Sequence, residues 1–172
     1  MRFVRLAAIC GQAAKRLLLA WAESIEPIAS EYFGEPAAAV LPLGTVRHHS
    51  TTAIERAPWH VDLVFFRPVE GRGVTAWLTF DDVGKTAPGI EFEFEGRSMI
   101  PLVPAGAGLM FGPRVKHRTQ LIDGDRISVE FRCVPAAMVR DGNDWDGTVA
   151  IVEDGRLVTR WRGDVMFSAP IN

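Results

Sequence analysis

The chain has 172 residues, of which 48% are hydrophobic and 23% are charged, and its formal net charge is -2. This composition is near the globular average, which excludes collagen, coiled coil and extensive disorder and predicts one domain over residues 1–172. Because 19 basic and 21 acidic residues nearly cancel, we expect neither a nucleic acid nor a membrane as partner. Two cysteines, Cys10 and Cys133, are too few for a disulfide scaffold, so the expected compartment is the cytoplasm.

The N-terminal region, residues 1–35, is predicted to be helical. Its longest unbroken apolar stretch, residues 17–22, is too short to cross a bilayer. We expect a helix that covers one face of a sheet, is weakened at Gly11 and kinks or ends near Pro27. Apolar residues at steps of three and four form its predicted buried stripe, namely Leu6, Ile9, Ala13, Leu17, Trp21, Ile25, Ile28 and Tyr32.

After Gly34 the pattern changes to short apolar or alternating runs separated by Gly, Pro and Asp. Many short strands at this spacing predict a mainly β jelly roll, with a core over residues 40–135. Asp154-Gly155 is a strong two-residue turn signal for a C-terminal hairpin over 148–161. The predicted strands are 43–49, 59–66, 73–80, 90–95, 99–103, 107–111, 114–118, 126–134, 148–153 and 156–161.

Three residues on two predicted strands form a candidate metal site. In a strand over 59–66, the side chains of His60 and Asp62 would point to the same face. His117 lies on another predicted strand. Two imidazoles and one carboxylate with open positions form the ligand set that suits non-haem Fe(II). The His-x-Asp pair alone is a weak signal, because a hydrogen-bonded structural histidine would give the same pattern.

A candidate anion site follows the second histidine. Arg126 and Ser128 share one face of the predicted strand 126–134, whereas Ile127, Val129 and Phe131 face the other side. A buried arginine requires an anionic partner, and its planar guanidinium matches a carboxylate. The pattern therefore predicts a carboxylate clamp near the metal site.

The ordered set His60, Asp62, His117, Arg126 and Ser128 resembles the signature of the Fe(II)/2-oxoglutarate-dependent dioxygenases. Within that group the chain is similar to the phytanoyl-CoA dioxygenase-like branch. The similar stretches are residues 74–84 (VTAWLTFDDVG), residues 87–90 (APGI), and residues 105–111 (AGAGLMF) followed by His117-Arg118-Thr119. The resemblance covers about residues 40–135 and implies a double-stranded β-helix, or cupin-like jelly roll.

The resemblance also implies a reaction: hydroxylation of a small organic substrate with O2, while 2-oxoglutarate is decarboxylated to succinate. By position, His60, Asp62 and His117 would bind Fe(II). Arg126 with Ser128 would hold the distal carboxylate of 2-oxoglutarate, and Trp77 and Thr119 would line the co-substrate site. An ordinary core position for Trp77 remains an open alternative.

Two other functions remain open at this point. The loops near 67–73 and 95–98 are short, which would also suit a non-catalytic jelly roll that binds a metal and a carboxylate, or a site completed in a homodimer. A cupin-like iron enzyme that does not use 2-oxoglutarate would not need Arg126.

Several further polar residues are predicted to have ordinary structural positions. Either His48 or His49 would face the interior. Arg114, Arg118 and Arg132 are expected on the charged surface, with Glu130 and Arg132 as an ion pair at a strand end.

Overall fold

The computed structural model describes residues 2–5, 12–50, 58–139, 148–161 and 164–171. Two helices and twelve strands lie in these ranges, together with three short 3-10 helices over Leu41–Leu43, Asp62–Val69 and Ala136–Met138. The helices are α1 (Gln12–Ser24) and α2 (Glu26–Phe33). The strands are β1 (Arg2–Arg5), β2 (Ala37–Val40), β3 (Thr45–His49), β4 (Val74–Thr79), β5 (Ile90–Phe94), β6 (Arg97–Met99), β7 (Gly108–Phe111), β8 (Lys116–Thr119), β9 (Arg126–Pro135), β10 (Thr148–Glu153), β11 (Arg156–Trp161) and β12 (Asp164–Pro170).

Two antiparallel sheets form the body of the described chain. Strand β9 is central in the larger sheet, because it pairs with β3 and β2 along one edge and with β4 along the other. Strand β7 extends the sheet beyond β4, and β10, β11 and β12 extend it beyond β2. The smaller sheet has the order β6-β5-β8. Residues of both sheets line one cleft, so the predicted mainly β fold class is confirmed.

Helices α1 and α2 cover the outer face of the larger sheet. Trp21 and Ala29 are fully buried and belong to a cluster with Val129, Phe131 and Cys133 of β9. Burial of such apolar side chains contributes about 1.5–3 kcal/mol for each large residue. The outer face of β9 is therefore apolar, which leaves its alternate side chains to face the cleft. Among the described residues, no helix is long and apolar enough to span a membrane.

The predicted helical region differs from the structure in three respects. Residues 2–5 form strand β1, which pairs with β3, and Leu6, Ile9, Cys10 and Gly11 lie outside the described residues. The helix is interrupted after Ser24, and Pro27 falls in the first turn of α2, where its missing N–H is tolerated. Ile28 and Tyr32 are exposed, because the break changes which face of the second helix meets the sheet.

The predicted strand 59–66 is wrong beyond its start. Asp62–Val69 form a 3-10 helix whose buried residues, Asp62, Phe66 and Val69, follow steps of four and three. Val61 is extended, with φ -124° and ψ 149°, and His60 makes a single bridge with His117. Only residues 60 and 61 thus have the predicted extended conformation, which suffices to keep the side chains of His60 and Asp62 on one side.

Most other predicted strands coincide with observed strands within a few residues. The 154–155 turn is confirmed: both residues have positive φ, and Glu153 pairs with Arg156. The predicted strand 99–103 is wrong, because β6 ends at Met99 and only Val103 makes a further bridge. Strands β1, β2 and β12 were not predicted.

Candidate metal centre

The two histidines are brought together by their backbones. The N–H of His60 donates to the carbonyl of His117 at 3.0 Å, and the N–H of His117 donates back at 2.9 Å. Residues opposite one another in an antiparallel pair have neighbouring side chains. The two imidazole ring centroids are accordingly 4.3 Å apart.

Each imidazole is fixed in the same tautomer. Nδ1 of His60 lies 3.0 Å from the carbonyl oxygen of Pro58, and Nδ1 of His117 lies 2.9 Å from that of Val115. A carbonyl oxygen can only accept a hydrogen bond, so each Nδ1 carries the hydrogen and each Nε2 keeps a lone pair. A metal-binding histidine is commonly oriented in this way.

Both Nε2 atoms face the same carboxylate oxygen. Oδ1 of Asp62 lies 3.9 Å from Nε2 of His60 and 3.9 Å from Nε2 of His117. All three ligand atoms lie within 4.8 Å of one another. These separations leave room for one cation between the three donors.

The surroundings of Asp62 distinguish its two oxygens. Its side chain is 1% exposed. Oδ2 accepts a 2.6 Å hydrogen bond from Oγ1 of Thr75 and lies 3.2 Å from Nη2 of Arg132. Oδ1 is buried without a hydrogen-bond donor among the described residues. A buried carboxylate oxygen without a donor is costly, and a cation at the centre of the three donors would remove that cost.

Burial also favours a neutral imidazole at His117. Desolvation lowers the pKa of His117 below its usual value of 6.5, and this effect exceeds the opposing influence of the Asp62 charge. Neutral imidazole is the form that binds a metal. The imidazole of His60 is more accessible, with 45% of its side chain exposed, so this side of the centre opens to solvent.

The structure places Arg126 at the cleft, with its guanidinium buried. The residue is 2% exposed, and burial lowers its pKa from 12.5 to about 10. Its Nη1 donates to the carbonyls of Pro88 at 2.6 Å and Gly89 at 3.2 Å, while its Nε has no partner among the described residues. A carbonyl pair does not neutralise a guanidinium, so an anion remains the expected partner.

The other predicted co-substrate residues lie at different distances from the cleft. Trp77 and Thr119 line it, and the Arg126 guanidinium carbon lies 5.2 Å from the centroid of the Trp77 ring. Trp77 is also a core residue with 1% exposure, so the two interpretations of this position coexist. Ser128 is fully buried, and its hydroxyl has no partner among the described residues, but it is not among the cleft-lining residues.

Of the adjacent histidines, His49 is the buried one. Its Cα is the register partner of Arg126 across β3 and β9, whereas His48 is exposed. Burial, followed by the Arg126 charge, lowers the pKa of His49 below 6.5.

The expected ion pair of Glu130 with Arg132 is present, but the expected surface position of Arg132 is wrong. Both residues are buried, with 4% and 7% exposure, and both line the cleft. Nη1 of Arg132 lies 2.9 Å from Oε2 of Glu130, and Nε of Arg47 lies 2.8 Å from Oε1 of the same carboxylate. The alternation that places Arg126 and Ser128 inside also places Glu130 and Arg132 inside. That pattern was the available signal for these two residues.

Arg118 is partly buried beside the cleft. Its Nε lies 2.6 Å from Oε2 of Glu91, and its guanidinium carbon is 4.4 Å from the centroid of the Trp59 ring. The other oxygen of Glu91, Oε1, accepts a hydrogen bond from Ser98. The Arg118 hydrogen bond lowers the pKa of Glu91. The cleft is lined by Arg47, His60, Asp62, Thr75, Trp77, Ile90, Phe111, His117, Arg118, Thr119, Arg126, Glu130 and Arg132.

The fold is similar to that of several solved structures, among them proteins described as non-heme or 2OG-Fe(II) enzymes. SnoN, described as a non-heme alpha ketoglutarate dependent epimerase from nogalamycin biosynthesis, matches with a TM-score of 0.61 and 19% identity over 87% of this chain and 62% of its own. HygX from Streptomyces hygroscopicus, solved with nickel and 2-oxoglutarate bound, matches with a TM-score of 0.58 and 14% identity over 78% of this chain and 70% of its own. A 2OG-Fe(II) oxygenase family member from Burkholderia pseudomallei matches with a TM-score of 0.56 and 8% identity over 74% of this chain and 58% of its own.

These similarities establish a cupin-like jelly roll as the fold of the chain. No family model matches the sequence, and no curated protein matches it. The chain spans about three fifths of the length of SnoN.

Proposed function

We propose that this chain is an Fe(II)- and 2-oxoglutarate-dependent oxygenase that hydroxylates a small organic substrate. The observation that carries the proposal is the convergence of two Nε2 lone pairs on Oδ1 of Asp62, a buried oxygen without a hydrogen-bond donor in the described part of the chain. The donor set of two imidazoles and a carboxylate suits Fe(II) and leaves positions for other ligands. The sequence motifs support placement in the phytanoyl-CoA dioxygenase-like branch.

Each residue has a defined task in this proposal. His60, Asp62 and His117 would hold the metal. Arg126, with Ser128, would pair with the distal carboxylate of 2-oxoglutarate, and Trp77 and Thr119 would line the co-substrate site. When bound, Fe(II) and 2-oxoglutarate supply the oxidation: O2 delivers one oxygen atom to the substrate hydroxyl and one to succinate, with release of CO2.

One property of the cleft and the solved structures of similar fold support this assignment. Among the described residues, the buried guanidinium of Arg126 donates to two carbonyls and to no carboxylate, so an entering dicarboxylate would be its first directly hydrogen-bonded anion. The neighbouring folds include SnoN, solved in complex with Fe3+, alpha ketoglutarate and nogalamycin RO, and HygX with 2-oxoglutarate. These ligands belong to those proteins and support the same ligand class here.

A second candidate is an iron enzyme that does not use 2-oxoglutarate. It is favoured by two observations: Nη1 of Arg126 already donates to the carbonyls of Pro88 and Gly89, and Ser128 does not line the cleft.

An anaerobic titration with Fe(II) and then 2-oxoglutarate, followed by visible absorption, separates the candidates. We expect a weak charge-transfer band that requires both additions and is lost in His117→Ala. In Arg126→Lys the band should need at least about ten times more 2-oxoglutarate, because an ammonium cannot form two parallel hydrogen bonds to a carboxylate. Arg72→Lys, which alters an exposed pair with Glu35, is the matched control.

The remaining outcomes contradict the proposal in different ways. Iron binding without a band on addition of 2-oxoglutarate would establish the second candidate. An absence of iron binding by the folded wild-type protein would favour a non-catalytic binding protein. If the charge-transfer band is observed, succinate formation with a panel of small organic molecules identifies the substrate class.

A further inference from the structure

Four buried or half-buried side chains of alternating charge form a continuous line that ends at the proposed metal ligand Asp62. Nε of Arg47 lies 2.8 Å from Oε1 of Glu130, Nη1 of Arg132 lies 2.9 Å from Oε2 of Glu130, and Nη2 of Arg132 lies 3.2 Å from Oδ2 of Asp62. We call this set the charge line. Two cations and two anions give it a net charge of zero.

The register of the sheet determines the position of the charge line. Arg132 is opposite Thr75 in the pairing of β9 with β4, so both side chains face the cleft. Thr75 donates a hydrogen bond to Oδ2 of Asp62, and Arg132 forms an ion pair with the same oxygen. Glu130 is opposite Thr45 of β3, whose hydroxyl donates to it at 3.3 Å. Arg47, two residues along β3, completes the carboxylate's partners.

Burial of these charged side chains costs free energy, so their position needs an explanation other than stability. Arg132 and Asp62 have side chains that are 5% and 1% exposed, and replacement of buried ion pairs by apolar residues is often neutral or stabilising. Stability alone therefore does not explain two guanidinium groups inside the sheet. Orientation of a metal ligand does, because a carboxylate whose outer oxygen is fixed keeps its other oxygen directed at the metal.

We propose that Arg132, held in place by Glu130, is a positioning residue for the metal ligand Asp62, an inference that rests on the metal site of the proposed function. The planar guanidinium of Arg132 bridges two carboxylates with different nitrogens, which a lysine ammonium cannot reproduce with the same geometry. Glu130 contacts Nη1 of Arg132 at 2.9 Å and so holds the guanidinium beside Asp62.

The test measures Co(II) binding by the metal-free full chain, through equilibrium dialysis and the visible ligand-field spectrum. We expect Arg132→Met to weaken Co(II) binding about 10- to 100-fold and to shift the spectrum, as loss of outer partners of a metal ligand commonly does. Arg132→Lys should recover part of the affinity. Glu130→Gln, which keeps an acceptor but removes the charge, should have a smaller effect, about three- to tenfold.

The matched control is Glu91→Gln. Glu91 is as buried as Glu130, at 8% against 7% exposure, and it also pairs with an arginine, but its partner Arg118 does not contact Asp62 among the described interactions. We expect this variant to lose thermal stability without a change in Co(II) affinity or spectrum. A purely structural role for Arg132 would give the same result for Arg132→Met.

The outcomes separate this inference from the proposed function. Wild-type affinity and an unchanged spectrum in Arg132→Lys and Glu130→Gln would overturn the inference, even if Arg132→Met fails to fold. Wild-type protein that binds Co(II) but gives no band with Fe(II) and 2-oxoglutarate would overturn the proposed function, while weakened Co(II) binding in the Arg132 variants would still support the inference. Failure of the wild-type protein to bind Co(II) would overturn the metal site and the inference together.

Discussion

The carboxylate oxygens of Asp62 have opposite surroundings at the scale of single atoms. Thr75 and Arg132 both approach Oδ2, whereas Oδ1 lies 3.9 Å from each histidine Nε2 and has no hydrogen-bond donor among the residues that the structure describes. Rotation of the carboxylate would break the 2.6 Å hydrogen bond from Thr75, and hydrogen bonds to charged groups contribute about 1.5–3 kcal/mol. The hydroxyl of Thr75 therefore helps to decide which oxygen is available to a metal.

We predict that Thr75→Val weakens Co(II) binding about three- to tenfold, because valine has a similar shape but cannot donate to Oδ2. The melting temperature of the metal-free protein should fall by several degrees, since a buried charge loses a donor. Equilibrium dialysis and differential scanning fluorimetry measure the two effects.

The matched control is Thr79→Val on the same strand. Thr79 is equally buried, at 1% exposure, but its hydroxyl bonds with the backbone of Asp81. This variant should lose stability and keep its metal affinity. If both variants bind Co(II) like the wild-type protein, the hydroxyl of Thr75 does not orient Asp62.

At the scale of elements, the 3-10 helix over Asp62–Val69 determines the direction of the chain after the metal ligands His60 and Asp62. Asp62 begins the helix, and Phe66 and Val69 anchor it in a cluster with Ala38, Val40 and Val134. The short apolar run over residues 59–66 predicts a strand here. The buried residues are 62, 66 and 69, and their steps of four and three fit a helix rather than a strand. The sequence alone does not show which residues of this segment are buried.

The close approach of Gly73 to this helix allows a direct test of the anchor. A Cβ at Gly73 would lie 2.1 Å from Cδ1 of Phe66 and 3.0 Å from the carbonyl oxygen of Cys133, and Phe66 is fully buried. We predict that Gly73→Ala destabilises the protein by about 1–3 kcal/mol through overpacking. Because the displaced ring belongs to the helix that carries Asp62, Co(II) affinity should fall as well.

Urea unfolding and Co(II) dialysis measure these effects, with Gly112→Ala as the control. A Cβ at Gly112 would meet nothing within 4 Å, so the control should unfold and bind metal like the wild-type protein. Loss of stability in Gly73→Ala with unchanged Co(II) affinity would show that the helix anchor and the metal centre are independent.

At the scale of the whole molecule, strand β9 separates an apolar layer from a polar one. Val129, Phe131 and Cys133 pack under the helices, whereas Glu130 and Arg132 face the cleft. The sequence was sufficient to predict the mainly β fold and the convergence of His60, Asp62 and His117, because the motif spacing and strand alternation carry that information. It was insufficient for the charge line, since charged residues are usually exposed and their burial depends on the register of β9 with β3 and β4.

A buried thiol in the apolar layer, that of Cys133, should make the stability of the protein depend on pH in alkaline solution. Cys133 is fully buried as a free thiol, and Nε1 of Trp21 lies 3.5 Å from its Sγ. Burial raises the pKa of Cys133 from 9.0 to about 12. Between these values the unfolded chain releases a proton that the folded chain retains, so the unfolded state binds fewer protons and the free energy of unfolding decreases as the pH rises.

We therefore predict that Cys133→Ala removes part of this alkaline loss of stability. At pH 8 the variant should be less stable than the wild-type protein, because alanine leaves a small cavity. From pH 8 to pH 10 the difference should shrink by about 1.4 kcal/mol, since one pKa unit corresponds to that free energy. Urea unfolding at pH 8, 9 and 10 measures this change in the free energy of unfolding.

The matched control is Val134→Ala, which shortens a neighbouring fully buried residue without a titratable group. Its difference in free energy of unfolding from the wild-type protein should stay constant over this pH range. A constant difference for Cys133→Ala as well would mean that the thiol ionises equally readily in the folded and unfolded states.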